Sequence, residues 1–381
     1  MDKAESKSAA KSGAGLEGVV AAESAIGDVD GINGVLIYQG LNINDLAEHS
    51  TFEETIYLLW HGRLPKRDEL AALRRDLAAN QHLPEEVLAL MRSFPSEAEP
   101  MDALRTAISA LAFYDPGARD LSREGALRTA TRLTAQFPVV VATFERLRKG
   151  QEPVAPRADF NIASNFLYML KGEEPAEREA RIFDVCLILH ADHELNASTF
   201  TSRVIAGTLA DMYGAVTGAI AALSGPLHGG ANTNVMKMLL EIGEPAQAEE
   251  WLREALASKK KIMGFGHRVY KTEDPRAAWL RRFSRELAEA KGETRWIEIL
   301  ERLRELMFAE KKLYPNVDYY SGSAYYMMGI PLDLFTPIFA VSRISGWTGH
   351  ILEQYANNRL IRPRAEYIGP RGVTYVPIDE R

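Results

Sequence analysis

From Phe52 to Gln354, apolar residues recur at three- and four-residue spacing, and no other feature of the sequence limits the fold as strongly. This spacing places apolar side chains on one face of an α-helix. Prolines separate the periodic segments, as expected of helix boundaries, at positions 65, 84, 95, 116 and 153. The pattern predicts an all-α fold with helices at residues 52–60, 68–79, 101–111, 127–148, 181–190, 201–223, 247–257, 274–291, 295–313 and 338–354.

The N-terminal part departs from this helical pattern. Two short β-strands are predicted at residues 19–26 and 35–38, on either side of a turn with the sequence GDVDG at 27–31. Residues 1–15 contain Lys, Ser, Ala, Gly and acidic residues without the apolar stretch of a signal peptide, so a disordered tail is predicted there. The expected chain is therefore a helical body preceded by one β-hairpin.

Length, charge and cysteine content limit the domain organisation and the partners. A chain of 381 residues exceeds the size at which a single core stops growing, which favours a large domain with a smaller lobe. The formal net charge of -7 argues against nucleic acid as the main partner. Cys186 is the single cysteine and lies in an apolar run, which predicts a buried thiol, no intrachain disulfide and a cytoplasmic protein.

One segment combines the length of a membrane span with a stripe of small residues. Residues 204–223 approach that length, but Thr208, Asp211 and Thr217 interrupt them and favour a buried helix of a soluble protein. Such a stripe of small residues lets a second helix approach closely. Both an internal helix contact and a subunit interface fit the pattern. Within a predicted helix at 201–224, the small residues occupy every fourth position, at Ala206, Ala210, Gly214, Gly218 and Ala222.

Two histidines lie in glycine-bracketed loops between predicted helices. His228 lies within the sequence GPLHGG at residues 225–230, and His267 lies within GFGHR at residues 264–268. Glycine lets a ligand approach the backbone closely, and a nearby helix start leaves backbone N–H groups unpaired. Both histidines are therefore predicted to contact a ligand.

Arginines outside these loops indicate an anionic ligand. Asp274 is expected to cap a helix whose first turn contains Arg276, where the helix dipole is already positive. Arg343 lies inside an apolar helix, and Arg362 lies in a basic segment. Three such arginines could clamp two carboxylates through bidentate contacts. One further candidate, Asp318, lies in a polar loop, where it also fits an Asx turn or a helix cap.

Three other kinds of site do not fit the sequence. A zinc motif of the form His-Glu-x-x-His starting at His193 would need a histidine at position 197, where Ala197 stands. The glycines at 264 and 266 lack the third glycine and the preceding strand of a dinucleotide-binding fingerprint. A nucleophilic triad is excluded as well, because Ser224 does not lie in the Gly-x-Ser-x-Gly pattern of a nucleophile elbow.

Together these residues resemble the citrate synthase family, from about Leu16 to the C-terminus. The resemblance is to the short bacterial-type members, which are close to 2-methylcitrate synthases, because HELN at 193–196 has the bacterial spacing. Two further matches are HADHE at 190–194 and SR at 342–343. The three main signatures are GPLHG at 225–229, GFGH at 264–267 followed by DPR at 274–276, and NVD at 316–318.

The resemblance implies an all-α fold of two domains, built as a homodimer, with the active site in the cleft between the domains. The large domain would comprise residues 16–228 and 323–381, and the small domain residues 229–322. The small-residue stripe would then lie at the subunit interface, and Arg362 would be donated across the dimer. Both a dimer and a hexamer fit these expectations.

The implied activity is that of an acyltransferase that condenses oxaloacetate with acetyl-CoA, through an enol or enolate, to give citrate and CoA. Asp318 would act as the base, and His228 would stabilise the thioester oxygen as a neutral imidazole, kept neutral by repulsion from the arginines. His267 would polarise the ketone of oxaloacetate. The oxaloacetate ligands would be His193, Asn196, His228, His267, Arg276, Arg343 and Arg362.

The resemblance also implies a binding site for coenzyme A as a cosubstrate, with no metal and no permanently bound cofactor. Lys271 would reach the phosphates of coenzyme A, and Arg268 and Lys261 are further candidates for phosphate contacts. The adenine would lie against the loop formed by Ile262, Met263, Gly264, Phe265 and Gly266.

Two alternatives to citrate synthesis stay open at this point. A 2-methylcitrate synthase would use propionyl-CoA with the same residues, and one methylene gives only about 1 to 3 kcal/mol of discrimination, so dual specificity also fits. A non-catalytic helical dimer would predict the loss of at least one catalytic group. Both histidines, Asp318 and all three arginines are present.

Overall fold

The computed structural model describes residues 14–16 and 18–381, and it is helical along most of this length. It confirms the predicted all-α class with one small β-sheet near the N-terminus. The predicted disordered tail at 1–15 lies outside the described residues, except for its last two positions. The predicted division into a large domain and a small domain at 229–322 stays a prediction.

Three antiparallel strands form the sheet, and the position of the first strand differs from the prediction. The predicted strand at 19–26 is wrong, because the strand begins at Gly27, inside the predicted turn. The turn lies further along the chain because Oδ1 of Asp30 accepts the N–H groups of Ile32 (3.0 Å) and Asn33 (2.9 Å). The strands follow one another in the sheet as β1 (Gly27–Asp30), β2 (Val35–Tyr38) and β3 (Leu41–Asn42).

Ten α-helices of the described chain precede the first glycine-bracketed histidine. The five helices predicted between residues 52 and 190 are confirmed, and each begins or ends within four residues of its expected position. Pro138 lies inside the sixth helix rather than at a boundary. The helices α1 to α10 span Ile43–His49, Phe52–His61, Arg67–Ala79, Glu85–Arg92, Pro100–Leu111, Arg123–Arg148, Ile162–Lys171, Glu177–His190, Ala197–Ala206 and Met212–Leu223.

The predicted continuous helix at 201–224 is wrong, because the chain breaks between α9 and α10. Leu209 has a φ of +62°, in the left-handed region, which ends the helical path. Asp211 then caps α10, since its Oδ1 accepts the N–H of Gly214 at 2.9 Å. The small residues therefore do not form one stripe. Gly218 instead packs on α9, where a Cβ would lie 2.2 Å from Ile205 Cδ1.

Six further α-helices of the described chain form two groups by their contacts. The first five pack mainly against one another, and the last packs against α2, α5, α6, α8, α9 and α10. The helix that follows the second histidine loop, Pro275–Lys291, also contacts α1 and α8 and thereby joins the two groups. The helices α11 to α16 span Ala231–Ile242, Ala248–Ala257, Pro275–Lys291, Arg295–Lys311, Val317–Met327 and Phe335–Ala356.

Helix α16 is central because it is buried along most of its length. Trp347 in this helix is fully buried, and its ring lies edge-on to Phe137 with 6.4 Å between the ring centroids. Cys186 in α8 is a buried free thiol, as predicted. Within the described residues, no helix has the length and apolar character that a membrane crossing requires.

Candidate active site

His228 lies between α10 and α11 with one ring nitrogen occupied. Its Nε2 accepts a hydrogen bond from the backbone N–H of Ser198 (3.2 Å) and lies 2.8 Å from Ser198 Oγ. A backbone N–H can only donate, so Nε2 carries no proton and the neutral ring has its proton on Nδ1. Trp347 Nε1 donates to Ser198 Oγ (3.1 Å) and orients that residue. His228 is therefore left with one donor, its Nδ1–H.

His267 has the opposite tautomer. Its Nδ1 accepts the backbone N–H groups of Val269 (3.0 Å) and Tyr270 (3.1 Å). Because both partners can only donate, the proton of the neutral ring lies on Nε2. The ring centroid of His267 lies 5.2 Å from that of His193. The second glycine-bracketed loop thus presents an Nε2–H donor next to another histidine.

Both histidines are held in the neutral form. Burial and, to a smaller extent, Arg343 lower the pKa of His228 to about 4. Burial and, to a smaller extent, Arg276 lower the pKa of His267 to about 4. Repulsion by arginines was the predicted cause of the neutrality of His228, but burial is the larger cause because it penalises the charged ring.

Arg276 pairs with a carboxylate of the protein itself. Its Nε donates to Oδ1 of Asp274 (2.9 Å) and its Nη2 donates to Oδ2 (2.7 Å). Asp274 also caps α13 as predicted, since Oδ1 accepts the N–H of Arg276 (3.1 Å). Burial raises the pKa of Asp274, but the Arg276 guanidinium outweighs burial and holds this pKa below its ordinary value. The expected anion beside Arg276 is thus in part supplied by Asp274.

Asp318 lies in the first turn of α15, not in a loop as predicted. Asn316 caps this helix, because its Oδ1 accepts the N–H of Asp318 (3.0 Å). The N–H of Val317 donates to Asp274 Oδ2 (3.2 Å), which ties the start of α15 to the start of α13. Burial raises the pKa of Asp318 to about 6, although Arg276 opposes this shift. The carboxyl therefore titrates close to neutral pH.

Arg343 and His193 are two further polar groups of the site. Arg343 Nε donates to the carbonyl of His190 (2.7 Å), and its guanidinium lies over the Phe339 ring at 4.5 Å. Burial lowers the pKa of Arg343 to about 10, which keeps it charged at neutral pH. Burial and then Arg276 lower the pKa of His193 well below its ordinary value. The buried Nε2 of His193 has no partner among the described residues, so it is available to a ligand.

Two of the predicted oxaloacetate ligands differ from the residues above: Asn196 caps a helix, and Arg362 is exposed. Asn196 caps α9, since its Oδ1 accepts the N–H of Thr199 (3.2 Å) and its Nδ2 donates to Thr199 Oγ1 (2.9 Å). It also accepts a hydrogen bond from Ser198 Oγ (2.8 Å) and thereby orients the partner of His228. Arg362 is exposed in the segment after α16 and has no contact with the site within the described chain. Its donation to a partner subunit stays a prediction.

The predicted coenzyme A loop at residues 262–266 lies against the start of α15. The N–H of Gly266 donates to the carbonyl of Tyr314 (3.1 Å), and the N–H of Asn316 donates to the carbonyl of Gly264 (2.9 Å). These bonds occupy part of the loop backbone. Three residues of the loop are partly exposed to solvent: Met263, Phe265 and Gly266.

Basic residues surround a cleft beside the second histidine loop. The three predicted phosphate contacts, Lys261, Arg268 and Lys271, are all exposed. A cleft of about 290 Å³ is lined by His267, Lys271 and Lys312. Lys312, which follows α14 with a φ of +54°, was not predicted as a site residue. The lysine pair that ends α14 just before the NVD signature was the available signal.

The predicted site residues interact electrostatically across several helices. Arg343 lowers the pKa values of both His193 and His228, and Arg276 acts on Asp318 and His193. In the part of the chain that is described, no group of three or more His, Cys, Asp or Glu side chains could hold a metal ion. A cavity of about 770 Å³ between α3 and α7 contains none of the site residues. The residues brought together are His193, His228, His267, Arg276, Asp318 and Arg343.

Comparisons with known proteins agree with this arrangement. A family model described as "Citrate synthase, C-terminal domain" matches residues 15–364. Citrate synthase 2 of Bacillus subtilis is 55% identical over 368 residues, which cover 96% of this chain and 98% of that protein. 2-Methylcitrate synthase 1 of Corynebacterium glutamicum is 43% identical, with 96% of this chain and 98% of that protein covered. The citrate synthase of Thermoplasma acidophilum, solved with carboxymethyl coenzyme A and oxaloacetate, superposes with a TM-score of 0.91 at 34% identity, covering 96% of this chain and 98% of that one.

We expect Asp318→Asn to stabilise the protein more at neutral pH than at acidic pH. The folded pKa of Asp318, about 6, lies above its ordinary value of 3.8. Between these values the folded state binds more protons than the unfolded state, so stability is lost as the pH rises through about 6. Asparagine cannot ionise and avoids this loss. The thermal unfolding midpoints of the variant and the wild type are measured from about pH 5 to about pH 8. The difference between the two midpoints should widen up to about pH 7 and then stay constant.

The exposed Asp76 offers a matched control. Asp76→Asn removes one negative charge without changing the buried site, and it corrects for the general effect of net charge on stability. A gap between Asp318→Asn and wild type that does not vary with pH would contradict a raised pKa of Asp318.

Proposed function

The chain belongs to the citrate synthase family, and on that premise we propose that it condenses oxaloacetate with acetyl-CoA to form citrate and free CoA. The observation that carries this proposal is the pair of half-buried neutral histidines with opposite tautomers, placed among Arg276, Arg343 and Asp318. An enolate and then an alkoxide must form in this reaction, and two fixed neutral donors suit these two oxyanions. This is the reaction by which acetyl carbons enter the tricarboxylic acid cycle.

In the first step, the Asp318 carboxylate removes a proton from the acetyl methyl group. A pKa of about 6 makes Asp318 a stronger base than an ordinary carboxylate while most of it is ionised at neutral pH. The electron pair of the C–H bond forms the carbon–carbon double bond of the enolate, and the electron pair of the C=O double bond moves onto the thioester oxygen. The Nδ1–H of His228 donates a hydrogen bond to this oxygen. One such preorganised donor lowers the barrier by about 3 to 4 kcal/mol.

In the second step, the enol carbon attacks the ketone carbon of oxaloacetate and a carbon–carbon bond forms. The ketone oxygen becomes an alkoxide, which the Nε2–H of His267 stabilises by donating a hydrogen bond, and a proton from water completes the hydroxyl group of the product. Arg276 and Arg343 neutralise the carboxylates of oxaloacetate, and the unpaired Nε2 of His193 contributes a polar contact. Water then attacks the thioester of the condensed product, the carbon–sulfur bond breaks, and CoA leaves as a free thiol.

Coenzyme A is proposed to bind over the second histidine loop. Lys271 and Lys312 line the cleft beside His267 and supply positive charge for the phosphates. The partly exposed loop residues Met263 and Phe265 offer apolar surface to the adenine. Lys261 and Arg268 are more peripheral candidates for phosphate contacts.

Acetyl-CoA is the proposed acyl donor, with propionyl-CoA as the second candidate. The relative with 55% identity is named a citrate synthase, and the relatives named 2-methylcitrate synthases reach 43%. This difference in identity favours acetyl-CoA. The second candidate is kept because a protein of Bacillus subtilis named citrate/2-methylcitrate synthase is 44% identical.

The proposed enzyme is a cytoplasmic homodimer. The segment after α16 exposes several large apolar side chains, which suits contact with a second copy. Arg362 lies in this segment and is the proposed third arginine, acting in the site of the partner subunit. The exposed apolar residues include Leu360, Tyr367, Ile368, Val373 and Tyr375.

We expect His228→Ala and His267→Ala each to lower kcat about a hundredfold or more, because each removes one oxyanion donor. Free thiol released from acetyl-CoA, with and without oxaloacetate, measures the activity. The exposed His49 gives the matched control, and His49→Ala should retain wild-type kcat. Thiol release by the wild type that does not depend on oxaloacetate would contradict the proposed function. A higher kcat/KM with propionyl-CoA than with acetyl-CoA would instead assign the chain to 2-methylcitrate synthesis.

Donation of Arg362 across the dimer predicts complementation between two inactive variants. Arg362→Ala and Asp318→Asn homodimers should each lose most of their activity. A hybrid dimer with one subunit of each kind contains one complete site, because the Asp318→Asn subunit supplies an intact Arg362 to its partner. Such hybrids, purified with two different affinity tags, should recover about half of the wild-type activity. Recovery no greater than in the two homodimers would show that Arg362 acts within its own subunit or outside the site.

A further inference from the structure

The tip of the N-terminal β-hairpin lies on the segment that determines the tautomer of His267. The carbonyl of Gly31 accepts the N–H of Lys271 at 2.7 Å. Val269, two residues before Lys271, donates its own N–H to His267 Nδ1 at 3.0 Å. The hairpin tip is therefore one short segment away from the hydrogen bond that places the proton of His267 on Nε2.

This contact leaves no room for a Cβ atom at the two glycines of the tip, Gly31 and Gly34. A Cβ on Gly31 would lie 2.2 Å from the carbonyl oxygen of Val269 and 3.0 Å from its Cγ1. A Cβ on Gly34 would lie 2.8 Å from Thr272 Cγ2. The obstacle at Gly31 is backbone, which cannot rotate away, and Gly31 does not have a positive φ. The close packing on the histidine loop, rather than the local conformation, therefore requires glycine at Gly31.

The base of the same hairpin binds the loop that contains His193. The hydroxyl of Tyr38 donates to the carbonyl of Asp192 (2.9 Å) and accepts the N–H of Asp192 (3.2 Å). Gly27 packs on the same residue, where a Cβ would lie 2.5 Å from Asp192 Oδ2. His193 follows Asp192 directly in the chain. The hairpin base thus fixes the backbone immediately before His193.

The hairpin connects two loops that are distant in sequence but adjacent at the site. Its strands β1 and β2 are hydrogen-bonded along their whole length, so the base and the tip move together. The rings of His193 and His267 lie 5.2 Å apart between centroids. We infer that the N-terminal hairpin is a positioning element for the keto-acid half of the site, with Gly31 and Tyr38 as its positioning residues.

This inference rests on the proposed condensation, because it concerns the donor that polarises the ketone. A side chain at Gly31 pushes Val269 away and lengthens the hydrogen bond from the Val269 N–H to His267 Nδ1. The ring then loses one of the two N–H donors that orient it, and its Nε2–H no longer points correctly at the ketone. Misplacement of a reacting group by about 1 Å costs up to about a hundredfold in rate.

The test compares Gly31→Ala with Ile32→Ala in the full-length enzyme. Gly31→Ala should lower kcat about tenfold to a hundredfold. The ¹³C signal of the ketone carbon of bound, labelled oxaloacetate should move towards its position in free oxaloacetate, because the carbonyl is less polarised. Ile32 lies at the same tip with 79% of its surface exposed, so Ile32→Ala should change neither quantity. His267→Ala provides the reference signal for a site without this donor.

The outcomes separate this inference from the proposed function. Absence of oxaloacetate-dependent thiol release in the wild type contradicts the proposed function itself. With an active wild type, a normal kcat in a folded Gly31→Ala protein overturns the inference about the hairpin. A lowered kcat with an unchanged ketone signal overturns it as well, because the loss then arises away from His267.

A second variant decides the question if Gly31→Ala does not fold. Tyr38→Phe removes only the hydroxyl that binds both backbone groups of Asp192. It should raise the KM for oxaloacetate about threefold or more and shift the ketone signal in the same direction as Gly31→Ala, because the backbone before His193 is then held less firmly. An unchanged KM and an unchanged signal overturn the inference.

Discussion

Backbone N–H groups decide what the two histidines of the site can do. Ser198 donates to Nε2 of His228, while Val269 and Tyr270 donate to Nδ1 of His267. A backbone N–H cannot change from donor to acceptor, so each bond fixes the proton on the opposite ring nitrogen. Burial keeps both rings neutral, with pKa values of about 4. The remaining features of the site position a carboxylate and two arginines around these two fixed donors.

Asp274 is the link between the arginine and the carboxylate. It binds the Arg276 guanidinium with both oxygens and also accepts the N–H of Val317 at the start of α15. Because Asp318 follows Val317 directly, one buried carboxylate holds both the anion-binding group and the proposed base in place. The sequence indicated Asp274 only as a helix cap, since its contact with Val317 joins residues that lie 43 positions apart.

Local patterns predicted much of this molecule, and long-range contacts account for the differences. Apolar periodicity and the Asp274 cap were sufficient for most helices, because these signals lie within a few residues of the element they define. The single helix at 201–224 was wrong because its small-residue spacing continued across a break that Leu209 and the Asp211 cap create. The motifs indicated candidate site residues, but the tautomer of His228 depends on Ser198, 30 residues away in sequence. The raised pKa of Asp318 depends on burial among several helices, which no local pattern contains.

The proton positions on the two rings test this account most directly. Nitrogen-15 NMR of the histidine rings, assigned with the alanine variants, distinguishes the two neutral tautomers and the charged ring. At neutral pH the account predicts the proton on Nδ1 in His228 and on Nε2 in His267, with both rings still neutral at about pH 5 because their pKa values are about 4. The same tautomer in both histidines, or a charged ring in either at neutral pH, would contradict it.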